Sequence, residues 1–177
     1  EKELEEMKIA AELARNEILK IYSQDFDVEI KSDDSPVTEA DKNADALIKK
    51  YLSEKFPTYA FLSEDSLDDG SRLQNDYVFI VDPVDGTKDF VVKNGQFTTN
   101  IALAYKHEVV AGVVAIPAMN KMYYASKNGG AYRFENGVAT KIHVNDKTSN
   151  LTVLTSNFHC TKKELELIEK YKDIIIN

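Results

Sequence analysis

The chain opens on a helical pattern. Leu4, Met7, Ala11, Ala14, Ile18 and Ile21 recur at steps of three and four residues, so a helix over 3–22 gathers them into one apolar stripe. A polar stretch and the turn pair Ser35-Pro36 follow. Thr38 then stands three residues before Asp41, the spacing of a capping box. It starts a second helix with Ala40, Ala44, Leu47, Ile48 and Tyr51 on its buried face, and that helix stops near Pro57. Beyond Pro57 the period changes. Residues 59–62 predict a short strand running into an acidic loop at 63–70. Residues 77–81 predict a second strand ending at Asp82, then a turn fixed by Pro83 and a short helix over 86–92. From 97 to 134 the pattern predicts antiparallel strands at 98–105, 109–116, 121–125 and 131–134. Their turns are Lys106-His107-Glu108, Met119-Asn120 and Asn128-Gly129-Gly130, and Asn136-Gly137 marks a further hairpin. Residues 151–156 predict one more strand, and Thr161 caps a last helix with Leu165, Ile168 and Tyr171 on one face. Two long helices beside a mostly antiparallel sheet make an α+β layered domain.

Composition narrows the classes. At 177 residues the chain can bury a core without disulfides, as one domain or two small lobes. Hydrophobic residues make up 43%, too many for wholesale disorder. The formal charge of −8, with no basic block, argues against nucleic acid or anionic lipid as a partner. Cys160 stands alone, so no internal disulfide forms, which suits a reducing, cytoplasmic setting. The longest apolar runs, such as 109–117, are too short to span a membrane, and residues 1–20 do not have the form of a signal peptide.

The acids matter more by position than by number. In Val81-Asp82-Pro83-Val84-Asp85-Gly86-Thr87-Lys88-Asp89-Phe90, Asp82 falls at a strand end and Asp85 can point back toward the same space. Gly86 permits close backbone approach, and Thr87 opens a helix whose free N–H groups suit an anion. Two carboxylates, a carbonyl at Val84 and a hydroxyl are the donors a hard divalent cation takes. The same residues also allow an ordinary turn with Asp85 as a helix cap. Glu64 in Leu62-Ser63-Glu64-Asp65 also follows an apolar strand, as a solvated loop acid or as a neighbour of Asp82. In Ser35-Pro36-Val37-Thr38-Glu39-Ala40-Asp41, the capping box alone accounts for Thr38 and Asp41; the functional alternative has Asp41 orient a water or the Thr87 hydroxyl. His107, His143 and His159 have no metal spacing, His159-Cys160 reads as a polar pair near a cap, and Thr98-Thr99-Asn100 is assigned no chemistry.

Taken in order, these segments resemble the Mg²⁺-dependent, Li⁺-sensitive phosphatase superfamily typified by inositol monophosphatase. The residues that carry the resemblance are Val37-Thr38 with Asp41, Glu64 at a strand end, and Asp82-Pro83-Val84-Asp85-Gly86-Thr87. Asp33-Asp34-Ser35-Pro36-Val37-Thr38, Leu62-Ser63-Glu64, Asp85-Gly86-Thr87-Lys88-Asp89-Phe90 and Lys93-Asn94-Gly95-Gln96-Phe97-Thr98 followed by Asn100-Ile101-Ala102-Leu103 are similar to its CysQ-type 3′(2′),5′-bisphosphate nucleotidase branch. The resemblance runs from the first helix to about Ser156. It implies the layered αβ sandwich of the sugar-phosphatase fold. It implies that Glu64, Asp82 and the Val84 carbonyl hold one Mg²⁺, that Asp82 and Asp85 contribute to a second, and that Glu64 reaches a third through water. Thr87 and Asp41 would then be catalytic, activating water. Glu64, Val84, Asp85, Gly86 and Thr87 would meet the substrate phosphate. The implied reaction is hydrolysis of the 3′-phosphate of adenosine 3′,5′-bisphosphate to AMP and phosphate, in sulfur assimilation, with Li⁺ inhibition.

One departure stands out. Members of that family carry a second α/β lobe with a Gly-Ser segment and a Trp-Asp, whereas this chain has no tryptophan and runs out at Ile174-Ile175-Ile176-Asn177. The expectation is therefore an N-terminal metal- and phosphate-binding lobe over 1–150 and the start of a truncated C-terminal lobe over 151–177. Apolar edges at 151–154 and 174–176 are left for a partner, a homodimer included. Two other readings stay open: an inositol or sugar monophosphatase, and a non-catalytic metal- or phosphate-binding module if these 177 residues are the whole gene product.

Overall fold

The computed structural model describes residues 2–30, 36–156, 158 and 160–175. Asp33, Asp34, Ser35, His159, Ile176 and Asn177, which the motifs and turns above include, lie outside the described residues. The chain falls into two compact units, residues 1–142 and 143–177.

In the first unit, helix α1 (Lys2–Tyr22) buries Leu4, Met7, Ala10, Ala11, Ala14, Ile18 and Ile21, the predicted stripe plus Ala10. Strands β1 (Val28–Ile30) and β2 (Pro36–Thr38) pair antiparallel, with Val28 opposite Thr38. The chain passes from β2 directly into α2 (Glu39–Lys55), capped by Thr38. A seven-stranded sheet follows in sequence order: β3 (Ala60–Ser63), β4 (Tyr77–Asp85), β5 (Thr98–Tyr105), β6 (Glu108–Ile116), β7 (Lys121–Ser126), β8 (Gly130–Glu135) and β9 (Val138–Ile142). Helix α3 (Thr87–Val91) sits between β4 and β5. Helices α1 and α2 pack on each other, α1 against β5 and β6, and α2 against β4. The α+β architecture is as the pattern predicts. Met7, Ile18, Ile48, Leu52, Phe79 and Ile101 fill the space between helices and sheet.

Strand direction positions the site. All neighbouring pairs in the sheet are antiparallel except β3 and β4, which run parallel with Ser63 opposite Val81. Two parallel neighbours finish at the same end, so the residues leaving β3 meet those in the middle of β4.

Three expectations change. The strand predicted to stop at Asp82 continues to Asp85, because β5 still offers partners: Asn100 stands opposite Asp82 and Thr98 opposite Asp85. Three steps on β4 against two on β5 make a β-bulge, and Pro83 lies in it rather than in a turn. Asp85 is not a helix cap; Gly86 holds that position in α3. Residues 151–156 do not form a strand: Leu151 makes one isolated parallel bridge to Ile175, and Leu154 is 92% exposed. An apolar run needs a ladder to become a strand, and among the described residues 152–156 have none. Strand β9, exposed along most of its length, is set by Asn136 and Gly137, both at positive φ as a two-residue hairpin turn requires. In the second unit, α4 (Lys162–Lys170) begins at the Thr161–Glu164 capping box, while Leu165 and Tyr171 are exposed. No helix is long and apolar enough to cross a membrane, among the described residues.

Candidate metal and phosphate site

Parallel pairing brings the first two acids together. The Glu64 N–H donates to the Val81 carbonyl at 3.1 Å, extending the β3–β4 register one residue past β3 and setting Glu64 beside Asp82. Asp82 is half-buried, and its pKa is pushed up to about 8. Burial is the main cause; the charges of Glu64 and then Asp85 follow, with a hydrogen bond to Glu64. Burial and neighbouring acids thus oppose charge on Asp82, which a positive charge beside it would relieve.

The bulge arranges the next donors. The Pro83 carbonyl accepts from the buried Thr99 hydroxyl at 2.9 Å, and the Val84 carbonyl has the Thr87 hydroxyl at 3.1 Å. Hydroxyls replace the ladder partners these carbonyls lose. Asp85, exposed, accepts from the Asn100 side-chain amide at 3.0 Å. Gly86 has φ +91°, and a Cβ there would lie 3.2 Å from the Gln96 carbonyl, so both conformation and space call for glycine. Phe90 and Phe97, fully buried, anchor α3 against Tyr22, with ring centroids 5.1 and 5.0 Å away.

The third stretch joins through Asp41, 1% exposed. Its Oδ2 accepts from the Thr38 N–H at 2.8 Å and the Thr38 hydroxyl at 2.6 Å, while its Oδ1 faces the Thr87 hydroxyl at 3.3 Å. The capping box and the contact to Thr87 therefore coexist, one on each oxygen. Burial raises the pKa of Asp41, partly offset by the Thr38 hydrogen bonds. The Thr87 hydroxyl has one proton and two acceptors in reach, Asp41 and the Val84 carbonyl, so its oxygen remains able to accept.

The donor set suits a hard cation. All of it is oxygen, and Asp82 Oδ1 and Asn100 Oδ1 are buried with no hydrogen-bond partner, as cation-seeking atoms would be. Among the described residues no group of three or more His, Cys, Asp or Glu side chains is placed to hold a metal ion, so any ion here would also draw on carbonyl, hydroxyl or water oxygens. The site is an edge of clustered acids with a carbonyl and a hydroxyl beside them. An apolar cleft of about 420 Å³ adjoins Glu64 and Asp82, walled by Leu62, Ile80, Ala102 and Val114.

Asn100 and Thr99 belong to this site, and sequence reading assigned them nothing. Their place depends on the β4–β5 register through the bulge; the one signal was that a polar Thr98-Thr99-Asn100 run opens a strand otherwise apolar.

The metal-free protein should show the strain in its pH dependence. The folded state holds Asp82 protonated up to about pH 8, whereas the unfolded chain releases that proton near 3.8. The folded state binds more protons across this window, so stability falls as pH rises through it. With chelator present, the melting temperature is expected to drop between pH 5 and 8. The slope should flatten on adding Mg²⁺ or in Asp82→Asn. A wild-type slope no steeper than that of Asp82→Asn would count against the assignment.

Residues 2–174 match the model of the inositol monophosphatase family. The chain is 39% identical over 150 residues to the 3′(2′),5′-bisphosphate nucleotidase CysQ of Escherichia coli K12, which covers 81% of this chain and 61% of that protein. It is 36% identical over 124 residues to the histidinol-phosphatase of Chlorobaculum parvum, covering 70% of this chain and 46% of that protein. Among solved structures, CysQ from Bacteroides thetaiotaomicron superposes with a TM-score of 0.77 at 31% identity, over 94% of this chain and 68% of the other. The chain spans about three-fifths of the length of the CysQ protein of E. coli.

Proposed function

Because the chain belongs to the inositol monophosphatase family, we propose that its acidic sheet end is the metal-binding part of a phosphoric monoester hydrolase. The whole protein removes the 3′-phosphate of adenosine 3′,5′-bisphosphate, giving AMP and phosphate, as a step in sulfur assimilation. The observation that carries this reading is the convergence of Glu64, Asp82 and the Thr87–Asp41 pair from three separate stretches. The CysQ relatives support the choice of substrate.

In this reading Glu64, Asp82, Asp85 and the Val84 carbonyl would hold Mg²⁺. Bound Mg²⁺ supplies acidification of water and neutralisation of charge on the transferring phosphoryl group. The chain's own residues do the rest. Asp41 directs one oxygen at the Thr87 hydroxyl while Thr38 secures the other. Thr87 accepts a proton from the attacking water and passes its own to Asp41, whose raised pKa makes it the better base. Gly86, at a positive φ beside the Gln96 carbonyl where only glycine fits, makes the turn that presents the Gly86–Thr87 backbone to the phosphate. No covalent enzyme intermediate is needed.

A second reading, a monophosphatase acting on a smaller alcohol such as inositol or a sugar, is favoured by the similarity to histidinol-phosphatase. Phosphate release by the protein expressed from its complete reading frame separates the two. Adenosine 3′,5′-bisphosphate is expected to be turned over in Mg²⁺ and not in chelator, ahead of inositol 1-phosphate and histidinol phosphate. Turnover of a monophosphate without the bisphosphate would reverse the substrate assignment. No Mg²⁺-dependent release from any of them would leave a non-catalytic binding module.

A further inference from the structure

We propose that Asp45 is a positioning residue for the acidic site: through its bond to Ser63 it fixes the direction in which Glu64 leaves β3. The proposal rests on the metal-binding reading above, in which Glu64 is a ligand. Asp45 lies one helical turn after Asp41 on α2 and is 6% exposed. A carboxylate so buried is costly unless its oxygens are partnered. Both are. The Ser63 hydroxyl, itself buried, donates to Asp45 Oδ1 at 2.5 Å, and the Lys49 ammonium lies 3.7 Å from Oδ2. Lys49 also donates to the Ser66 hydroxyl.

These contacts bracket Glu64. Ser63 precedes it and Ser66 lies two residues beyond it, and both are tied to one α2 acid and its ion-pair partner. The Glu64 N–H, bonded to the Val81 carbonyl, is a third fixed point between them. A loop held at 63, 64 and 66 has little freedom to swing the Glu64 side chain away from Asp82. Helix α2 thus carries two buried acids with separate duties: Asp41 reaches the Thr87 stretch, and Asp45 reaches the Glu64 stretch. A helix merely packing on the sheet would place apolar residues at both positions, as it does at Ala44 and Ile48.

The test is Mg²⁺ titration by calorimetry on the full chain, with melting temperature measured alongside. Ser63→Ala and Asp45→Ala are expected to weaken Mg²⁺ affinity about tenfold, the usual scale for losing an outer partner of a metal ligand. Asp45→Asn still accepts the Ser63 hydroxyl and should stay within about threefold of wild type. Glu64→Gln serves as the reference for direct loss of a ligand. Lower melting temperatures with wild-type affinity in Ser63→Ala and Asp45→Ala would overturn the proposal. So would equal weakening in Asp45→Asn and Asp45→Ala, which traces the effect to charge rather than to the Ser63 bond. Should Asp45→Ala fail to fold, Ser63→Ala decides alone. A flat titration in wild type itself would overturn the metal-binding reading, a pattern distinct from either of these.

Discussion

Asp82→Asn is expected to lower Mg²⁺-dependent kcat/KM by about a thousandfold or more, the kinetic equivalent of about 4 kcal/mol. The size follows from the position of Asp82. It is the acid that both Glu64 and Asp85 act on electrostatically, and its Oδ1 is buried with no hydrogen-bond partner. Asparagine keeps the shape and removes the charge a divalent ion needs. The same substitution should stabilise the chelated protein at pH 8, because it deletes the carboxyl whose ionisation burial and three neighbouring acids oppose. Opposite effects on stability and activity mark a functional acid, since a structural one would lose both. Steady-state kinetics and thermal melts in chelator read the two halves; an active Asp82→Asn enzyme, or one destabilised in chelator, contradicts this account.

Thr87→Ala is expected to reduce kcat by about a hundredfold, within the range for positioned proton transfer, and to leave Mg²⁺ affinity within about threefold. The hydroxyl touches Asp41 and the Val84 carbonyl, and only the second belongs to the proposed ligand set. Thr87→Ser should restore most of the rate, because it keeps the hydroxyl. Asp41→Asn should fall about as far as Thr87→Ala. Its side chain offers one carbonyl oxygen where the carboxylate serves Thr38 with one oxygen and Thr87 with the other. The two losses should not add, since both break one relay: the double variant should resemble either single one. Multiplying losses, or a Thr87→Ser enzyme as slow as Thr87→Ala, would separate Thr87 from Asp41.

The parts of this site that could be read from sequence are those that local pattern determines. The apolar stripe of α1, the cap at Thr38 and the strands over 98–126 follow from periodicity and turn chemistry, which short-range sterics enforce. Asp82 and Glu64 were legible because each closes an apolar stretch, and Asp85 because it stands beside Gly86 three residues after Asp82. What sequence hid depends on pairing. The bulge at Pro83 and Val84 exists because β5 keeps offering partners after the apolar run of β4 ends, and that register puts Asn100 opposite Asp82. Asp45 carries no signal in the sequence, because only the packing of α2 on the sheet sets the Ser63 hydroxyl 2.5 Å from it. The strand expected at 151–156 is the converse: the residues suit a strand, yet among the described residues only Leu151 makes a bridge, to Ile175.

Two stretches distant in sequence, at the end of β3 and in the bulge of β4, are proposed to build one divalent-cation site, with Asp41 of a third set against Thr87. Anomalous diffraction from crystals of this chain grown with Mn²⁺ in place of Mg²⁺ tests it most directly. An anomalous peak bounded by the carboxylates of Glu64 and Asp82 and the carbonyl of Val84 is expected, and its loss in Asp82→Asn. Mn²⁺-replete crystals with no peak there, or with the same peak in Asp82→Asn, would contradict it.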